Sequence, residues 1–191
     1  MADVTIRPIT YDDTDNIIKW RNSDYVRSHF IDQRLFTKES HEYWLRNMVE
    51  TGKVAQFIIL LDGTPVGSVY LRDIDHEKKS AEYGIFIGEE SARGKGVGTK
   101  SAELIIKYAF DELHLEKIFL RVHKDNIGAV KSYEKAGFVK NDHEETVDIN
   151  GCKKEVIFME LEKHYAPDDL VLIHDAIRPM VSAEIISDNI R

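Results

Sequence analysis

The sequence has a single cysteine, Cys152, which excludes a disulfide within the chain and a cysteine-rich zinc site. No apolar run approaches the roughly 20 residues of a membrane-spanning helix. The segment Met1–Arg7 also lacks the apolar core of a signal peptide. Basic residues are in the minority, 26 Lys and Arg against 34 Asp and Glu, and the net charge of −8 disfavours nonspecific nucleic-acid binding. We therefore expect a cytoplasmic protein with neither a membrane nor a nucleic acid as its partner.

The length and the hydrophobic pattern predict one well-buried domain. A chain of 191 residues with 42% hydrophobic content is long enough for a single core. Helices are expected after Thr10 and Thr37, which suit N-cap positions, and loop-like sequence separates the two. Strand patterns cover residues 4–9, 55–61, 66–74, 81–87, 117–122, 139–149 and 153–161. With two later helices, the order β-α-α-β-β-β-α-β-α-β-β predicts an α+β fold with a mixed sheet.

The stretch Arg93-Gly94-Lys95-Gly96-Val97-Gly98 lies between a strand pattern and an amphipathic helix. Three glycines in five positions cost backbone entropy, so they indicate a tight turn or a close approach to a ligand. A glycine-rich turn that leads into a helix presents free N–H groups and the positive end of the helix dipole. These features favour phosphate oxygens.

The spacing of the glycines excludes two common nucleotide-binding loops. No Gly-Lys-Ser/Thr completes a Walker A loop, and the last two-residue gap of the dinucleotide fingerprint is missing. The stretch does match Arg-x-x-Gly-x-Gly, and in this it resembles the acyl-coenzyme A pyrophosphate loop of the Gcn5-related N-acetyltransferases (GNAT). The resemblance extends over 4–161 through the order of elements. It implies a GNAT fold with a mixed, mostly antiparallel sheet of about six or seven strands, flanked by four helices.

The resemblance also implies acetyl-CoA as co-substrate, with no metal, and identifies the residues that would hold it. Asp125 to Phe138 resembles the closing motif of the family, in which an asparagine contacts the pantetheine arm and a tyrosine lies by the coenzyme sulfur. The expected coenzyme-binding residues are Ile85, Phe86, Ile87, Arg93, Gly94, Lys95, Gly96, Val97, Gly98, Thr99, Asn126, Ala129 and Tyr133.

Acetyl transfer to an amine requires that the ammonium lose a proton and that the departing thiolate be protonated. Tyr133 is the expected proton donor, since a phenol has a pKa near 10. Glu82 is the expected general base, because many family members have an acid two residues before the position of Gly84. Further candidates to relay a proton are His29, His41, His76 and His123.

The acceptor is expected to contact the N-terminal helices and loops, where the family varies. The segment Trp20-Arg21-Asn22, followed by Arg27, resembles a branch that acetylates nucleotide-linked amino sugars; aromatic rings can stack there and arginines can pair with phosphates. The expected acceptor-binding residues are Trp20, Arg21, Asn22, Arg27, His29 and Glu82. Acetylation of protein N-termini, acetylation of polyamines and a non-catalytic acyl-CoA sensor remain alternatives.

The last residues are expected to form an extension to a GNAT domain of residues 1–165. Residues 169–181 are similar to the His-Asp-x-x-Arg-Pro segment of polyol-phosphate cytidylyltransferases, but the glycine-rich nucleotide-binding start of that family is missing. Extension 166–191 is therefore expected to have no activity of its own. A strand at 170–173 and a helix at 182–190 are predicted to dock on an exposed edge or to form a homodimer.

Overall fold

The computed structural model describes residues 3–149 and 151–163, which form one seven-stranded sheet flanked by five α-helices. The strands are β1 (Val4–Pro8), β2 (Ala55–Leu61), β3 (Thr64–Asp75), β4 (Ser80–Ile87), β5 (Lys117–His123), β6 (Val139–Ile149) and β7 (Cys152–Glu162). The helices are α1 (Thr14–Asn22), α2 (Asp24–Ser28), α3 (Lys38–Trp44), α4 (Val97–Lys107) and α5 (Ile127–Lys135). Single π-helical turns extend α3 to Val49 and α4 to Glu112.

The prediction of an α+β fold with a mixed, mostly antiparallel sheet is confirmed. The strand order is β1-β2-β3-β4-β5-β7-β6, in which β4 and β5 pair in parallel and the other neighbours pair antiparallel. One helix more than the expected four is present. It is α2, which lies in the stretch predicted as a loop and begins where the Ser23 hydroxyl accepts a hydrogen bond from the Val26 N–H.

The parallel pair is short, and this opens the sheet. Pairing of β4 with β5 ends at Glu82 and Phe119, whereas β5 continues to pair with β7 as far as His123. The segment Tyr83–Ile87 therefore diverges from the end of β5 and has β3 as its neighbour on the other side. The divergence creates a cleft between two adjacent strands in the middle of the sheet.

Two cores cover the two faces of the sheet because successive side chains of a strand point to opposite sides. In β4, Tyr83 belongs to the core under α4 and α5, and Phe86 belongs to the core under α1 and α3. Side chains from both faces thus meet at the cleft where β4 and β5 separate.

Several predicted features lie outside the described residues. Asn150 of the β6–β7 turn lies outside them, although its neighbour Gly151 has the left-handed φ of +82° that such a turn requires. The expected domain boundary at 165, the strand at 170–173, the helix at 182–190 and their docking also lie outside the described residues. Across 3–149 and 151–163, no helix is both long and apolar enough to cross a membrane.

Candidate active site

A cavity of about 720 Å³ occupies the cleft between β4 and β5 and reaches both faces of the sheet. Its walls come from the glycine-rich loop, the start of α5, the open edge of β4, and the segment from α1 to Phe36. Most of the residues predicted from the sequence line it: Arg21, His29, Glu82, Ile85, Phe86, Ile87, Arg93, Gly94, Gly96, Val97, Gly98, Thr99, Asn126, Ala129 and Tyr133. The cavity therefore brings together residues expected to bind the coenzyme (the coenzyme side) and residues expected to bind the acceptor (the acceptor side).

The glycine-rich loop is shaped by its backbone conformation. Gly94 and Gly96 have φ of 71° and 78°, a region that L side chains rarely adopt, and an added β-carbon at either position would have no atom within 4 Å. Gly96 caps α4 without a side-chain hydrogen bond, and its carbonyl accepts from the Lys100 N–H at 3.0 Å. The first N–H groups of α4, at Val97, Gly98 and Thr99, have no intrahelical acceptor and can bind anionic oxygens.

The Arg93 side chain connects this loop to the acceptor side. Its guanidinium donates to the carbonyls of Ile87 and Gly88 at 3.4 and 3.1 Å, and its Cζ lies 3.5 Å from the centroid of the Tyr25 ring. The Arg93 N–H donates to the Glu90 carbonyl at 3.1 Å. These contacts give Arg93 a clear role in holding the end of β4 and α2 beside the loop.

The start of α5 faces the start of α4 across the cavity. Asn126 caps α5, since its Oδ1 accepts from the Ala129 N–H at 3.3 Å. The hydroxyls of Thr99 and Ser132 lie 3.1 Å apart and join the two helices. The start of α4 is thereby joined to α5 in the wall of the cavity.

Tyr133 lies farther along α5 and is half-buried against aromatic rings. Its ring centroid is 5.8 Å from that of Tyr83 and 6.1 Å from that of Phe138. Burial raises the pKa of the Tyr133 phenol above its usual value, and the nearby Tyr70 adds to the effect. Tyr133 consequently keeps its proton at neutral pH and can act as a donor in the cavity.

Glu82 is buried and held by two arginines. Its Oε1 accepts from Arg72 Nη2 at 2.8 Å and from Arg121 Nε at 3.1 Å, and the residue is 7% exposed. The strand register produces this arrangement because Arg72 lies directly opposite Glu82 on β3. Arg121 also has Glu145 at 3.7 Å from its Nη1. Glu82 is therefore the centre of an ion-pair network.

Arg21 is a buried guanidinium with no ion-pair partner in the part of the chain that the structure describes, although the charge of Asp32 still acts on it. It is 7% exposed, and its Cζ lies 3.5 and 4.7 Å from the ring centroids of Phe30 and Phe36. Its Nη2 donates to the Asp32 carbonyl at 3.3 Å, whereas Nη1 has no hydrogen-bond partner among the described residues. Burial lowers the pKa of Arg21. The side chain thus presents to the cavity a charge that no carboxylate contacts directly among the described residues.

Trp20, Asn22, Arg27 and Lys95, all predicted from the sequence, do not line the cavity. The Trp20 ring is in the core, and its Nε1 donates to Glu89 at 2.7 Å. The Asn22 amide exchanges hydrogen bonds with the Phe36 main chain at 2.7 and 2.8 Å. Arg27 pairs with Asp24 at 2.8 Å. Adjacent residues of a helix point in different directions, so the sequence segment that contains Arg21 does not act as one unit.

Sequence reasoning did not identify Tyr70, Arg72 or Arg121, which line the acceptor side with Glu82. The register of β3, β4 and β5 brings them together, and no local motif marks that register. The Tyr70 ring lies over Gly84, where an added β-carbon would be 2.3 Å from Tyr70 Cζ. The described ranges bring together no group of three His, Cys, Asp or Glu side chains that could hold a metal ion.

Comparison with known proteins identifies relatives for most of the chain. Residues 3–139 match the family model of the acetyltransferase (GNAT) domain. The spermidine N(1)-acetyltransferase of Escherichia coli K12 is 30% identical over 164 residues, which cover 84% of this chain and 87% of that protein. Acetyltransferase PseH of Campylobacter jejuni is 30% identical over 128 residues, 67% of this chain and 78% of that protein. The structure of Vibrio cholerae spermidine N-acetyltransferase with CoA and spermine has a TM-score of 0.78 and 26% identity, over 84% of this chain and 95% of that one.

These matches concern the acetyltransferase domain. The similarity of residues 169–181 to cytidylyltransferases gains no support from them and stays a prediction. A Vibrio cholerae spermidine N-acetyltransferase that matches with a TM-score of 0.70 and 26% identity, over 84% of this chain and 94% of that one, is dodecameric. Oligomers therefore occur among the relatives.

Proposed function

Since this chain belongs to the GNAT acetyltransferase family and is an acetyl-CoA-dependent N-acetyltransferase, we propose that its acceptor is an anionic small molecule with a primary amine. A nucleotide-linked amino sugar fits this description. The observation that carries the proposal is Arg21, a buried guanidinium in the wall of the cavity that has no ion-pair partner among the described residues.

Acetyl-CoA, the source of the acetyl thioester, fits the coenzyme side of the cavity. We assign its pyrophosphate to the N–H groups at the start of α4, from Val97 to Thr99, and its pantetheine arm to the open edge of β4 at Ile85–Ile87. Asn126 and Ala129, at the start of α5, complete this side. Tyr133 is assigned to protonate the departing sulfur, because its phenol keeps its proton in this buried position.

An anionic group of the acceptor would neutralise Arg21. A buried charge without a partner is costly, so a protein retains one where a ligand supplies the opposite charge. A guanidinium between two phenyl rings is held in one orientation and can bind a carboxylate or phosphate bidentately. Arg72 and Arg121 add positive charge on the same side of the cavity.

The acceptor side of the cavity fits a polyamine poorly, although spermidine acetyltransferases are among the relatives. A polycation needs free carboxylates, and both acids that line the cavity have arginine partners. Glu82 is paired with Arg72 and Arg121, and Asp32 accepts from Arg34 Nε and Nη2 at 2.9 and 2.5 Å.

Release of coenzyme thiol with three acceptors tests the proposal: a nucleotide-linked 4-amino sugar, a peptide with a free N-terminus, and spermine. We expect the highest kcat/KM with the amino sugar and a rise of at least tenfold in its KM in Arg21→Met, with thermal stability unchanged or higher. Arg27→Gln is the matched control, because Arg27 is also an arginine of this region but lies outside the cavity. Turnover with spermine or peptide alone would refute the proposal.

A further inference from the structure

His123 is a further polar side chain of the cavity whose surroundings call for a ligand. The residue is 5% exposed and lines the cavity, and neither ring nitrogen has a hydrogen bond of ordinary geometry among the described residues, although the Phe30 main chain is close enough to raise the pKa of the ring. Buried polar side chains almost always have partners, so two orphaned nitrogens on one ring need an explanation. A bound molecule that supplies a donor to this ring would provide it.

The sheet places His123 on the acceptor side. Arg121 and His123 are two residues apart on β5, so their side chains lie on the same face of the strand. Arg121 contacts Glu82 there, and His123 stands at the end of β5, where the cleft is open. The His123 carbonyl accepts from the Asn126 N–H at 2.9 Å, which connects it to the first turn of α5.

Glu82 is badly placed to act as the base that the sequence suggested. Its carboxylate accepts hydrogen bonds from Arg72 and Arg121, and a proton on it would remove the negative charge that holds both guanidiniums. A role in positioning the arginines of the acceptor side agrees with these contacts. The contacts of Glu82 therefore favour another group of the cavity as the proton acceptor.

We propose that His123 is the general base that takes the proton from the ammonium of the acceptor. The proposal rests on the assignment of this cavity as the acetyl-transfer site, but it does not depend on which amine binds. One ammonium proton passes to a ring nitrogen of His123, and the free amine forms its bond to the acetyl carbon as the carbon–sulfur bond breaks. The sulfur takes the proton of the Tyr133 phenol. The nitrogen loses its second proton to water, Tyr133 regains a proton from water, and His123 returns its own proton to water, so the protons balance over the cycle.

The electrostatic surroundings of His123 favour the neutral form of its ring. Burial lowers the pKa of His123, and Lys154 and His29 act in the same direction; Asp125 and the Phe30 main chain oppose them. Lys154 and Asp125 pair with each other at 2.6 Å, so their effects on the ring partly cancel. The imidazole is neutral at pH 7, the form in which it can accept a proton.

The pH profile of His123→Gln tests the proposal against the corresponding profile of Glu82→Gln. In the wild type we expect kcat/KM to fall on the acid side with an apparent pKa below 6.5. The same value should follow from the ring protons of His123 in an NMR titration of the free enzyme. His123→Gln should lose this acid limb, and its kcat should fall about 100-fold with coenzyme affinity unchanged. Added imidazole should restore part of the rate.

The control variant is His76→Gln, since His76 is exposed and lies outside the cavity; it should leave the profile unchanged. Retention of the acid limb in His123→Gln, or its loss in Glu82→Gln alone, would overturn the proposal. Loss of coenzyme affinity in His123→Gln would assign His123 a structural role and refute it as well. Coenzyme binding is measured separately. If Gly96→Ala did not weaken it, the assignment of this cavity as the acetyl-transfer site would fail, whatever the result for His123.

Discussion

Acidification is expected to destabilise the protein through His41, and the size of the effect follows from its surroundings. His41 is 1% exposed; its Nδ1 lies 3.1 Å from the Thr14 hydroxyl, and its Nε2 has no partner among the described residues. Burial lowers the pKa of His41 from 6.5 to about 4, against a smaller opposing effect of Asp13. The folded protein therefore holds this ring neutral under conditions in which the unfolded chain protonates it.

Proton linkage gives the sign and the size of this change in the free energy of unfolding. Between pH 6.5 and about 4 the unfolded chain binds more protons at His41 than the folded protein does, so the free energy of unfolding falls as the pH falls through this range. The full shift corresponds to about 3 kcal/mol, of which about 2 kcal/mol is lost between pH 7 and pH 5. Below the folded-state pKa the loss is complete.

Urea denaturation at pH 7 and pH 5 measures this effect, with His41→Gln as the reference. The glutamine variant keeps a polar group near Thr14 but has no titrating ring, so it should lose about 2 kcal/mol less than the wild type over this interval. Other titrating groups, His123 among them, are present in both proteins and cancel in the difference. Equal losses in the two proteins, or an NMR titration of His41 near 6.5, would refute the reasoning.

Three further substitutions test the cavity. Gly96→Ala should raise the Kd of acetyl-CoA several-fold because it strains the residue that begins α4. The control Gly63→Ala, at a glycine with the same φ of 78°, should lose similar stability and leave that Kd unchanged. Equal Kd values in the two variants would contradict this. Gly84→Ala should displace the Tyr70 ring and lower kcat/KM for the acceptor at least tenfold without weakening coenzyme binding, as steady-state kinetics and calorimetry would show. Tyr133→Phe should lower kcat about 100-fold at unchanged coenzyme affinity, and a kcat within threefold of the wild type would exclude it as the proton donor.

The sequence signals for the residues expected to bind the coenzyme are local. Gly94 and Gly96 adopt the conformations that make glycine necessary, and Asn126 caps the next helix; both properties depend on a few consecutive residues. Of the residues expected to bind the acceptor, only Arg21, His29 and Glu82 line the cavity. Arg21 lines the cavity while its neighbours Trp20 and Asn22 make structural contacts, and a helix of nine residues offered too little pattern to separate them.

The sequence by itself determined the order of the seven strands and of the helices other than α2, the glycine-rich turn before α4, and the position of Tyr133 on the helix after β5. These follow from the spacing of glycines, caps and apolar residues along short stretches of chain. The tertiary structure alone decided that Glu82 is held by Arg72 and Arg121, that Arg21 has no ion-pair partner among the described residues, and that His123 is buried in the wall of the cavity. The physical reason is that burial and charge pairing depend on strand register and on the opening between β4 and β5, which bring together residues distant in sequence.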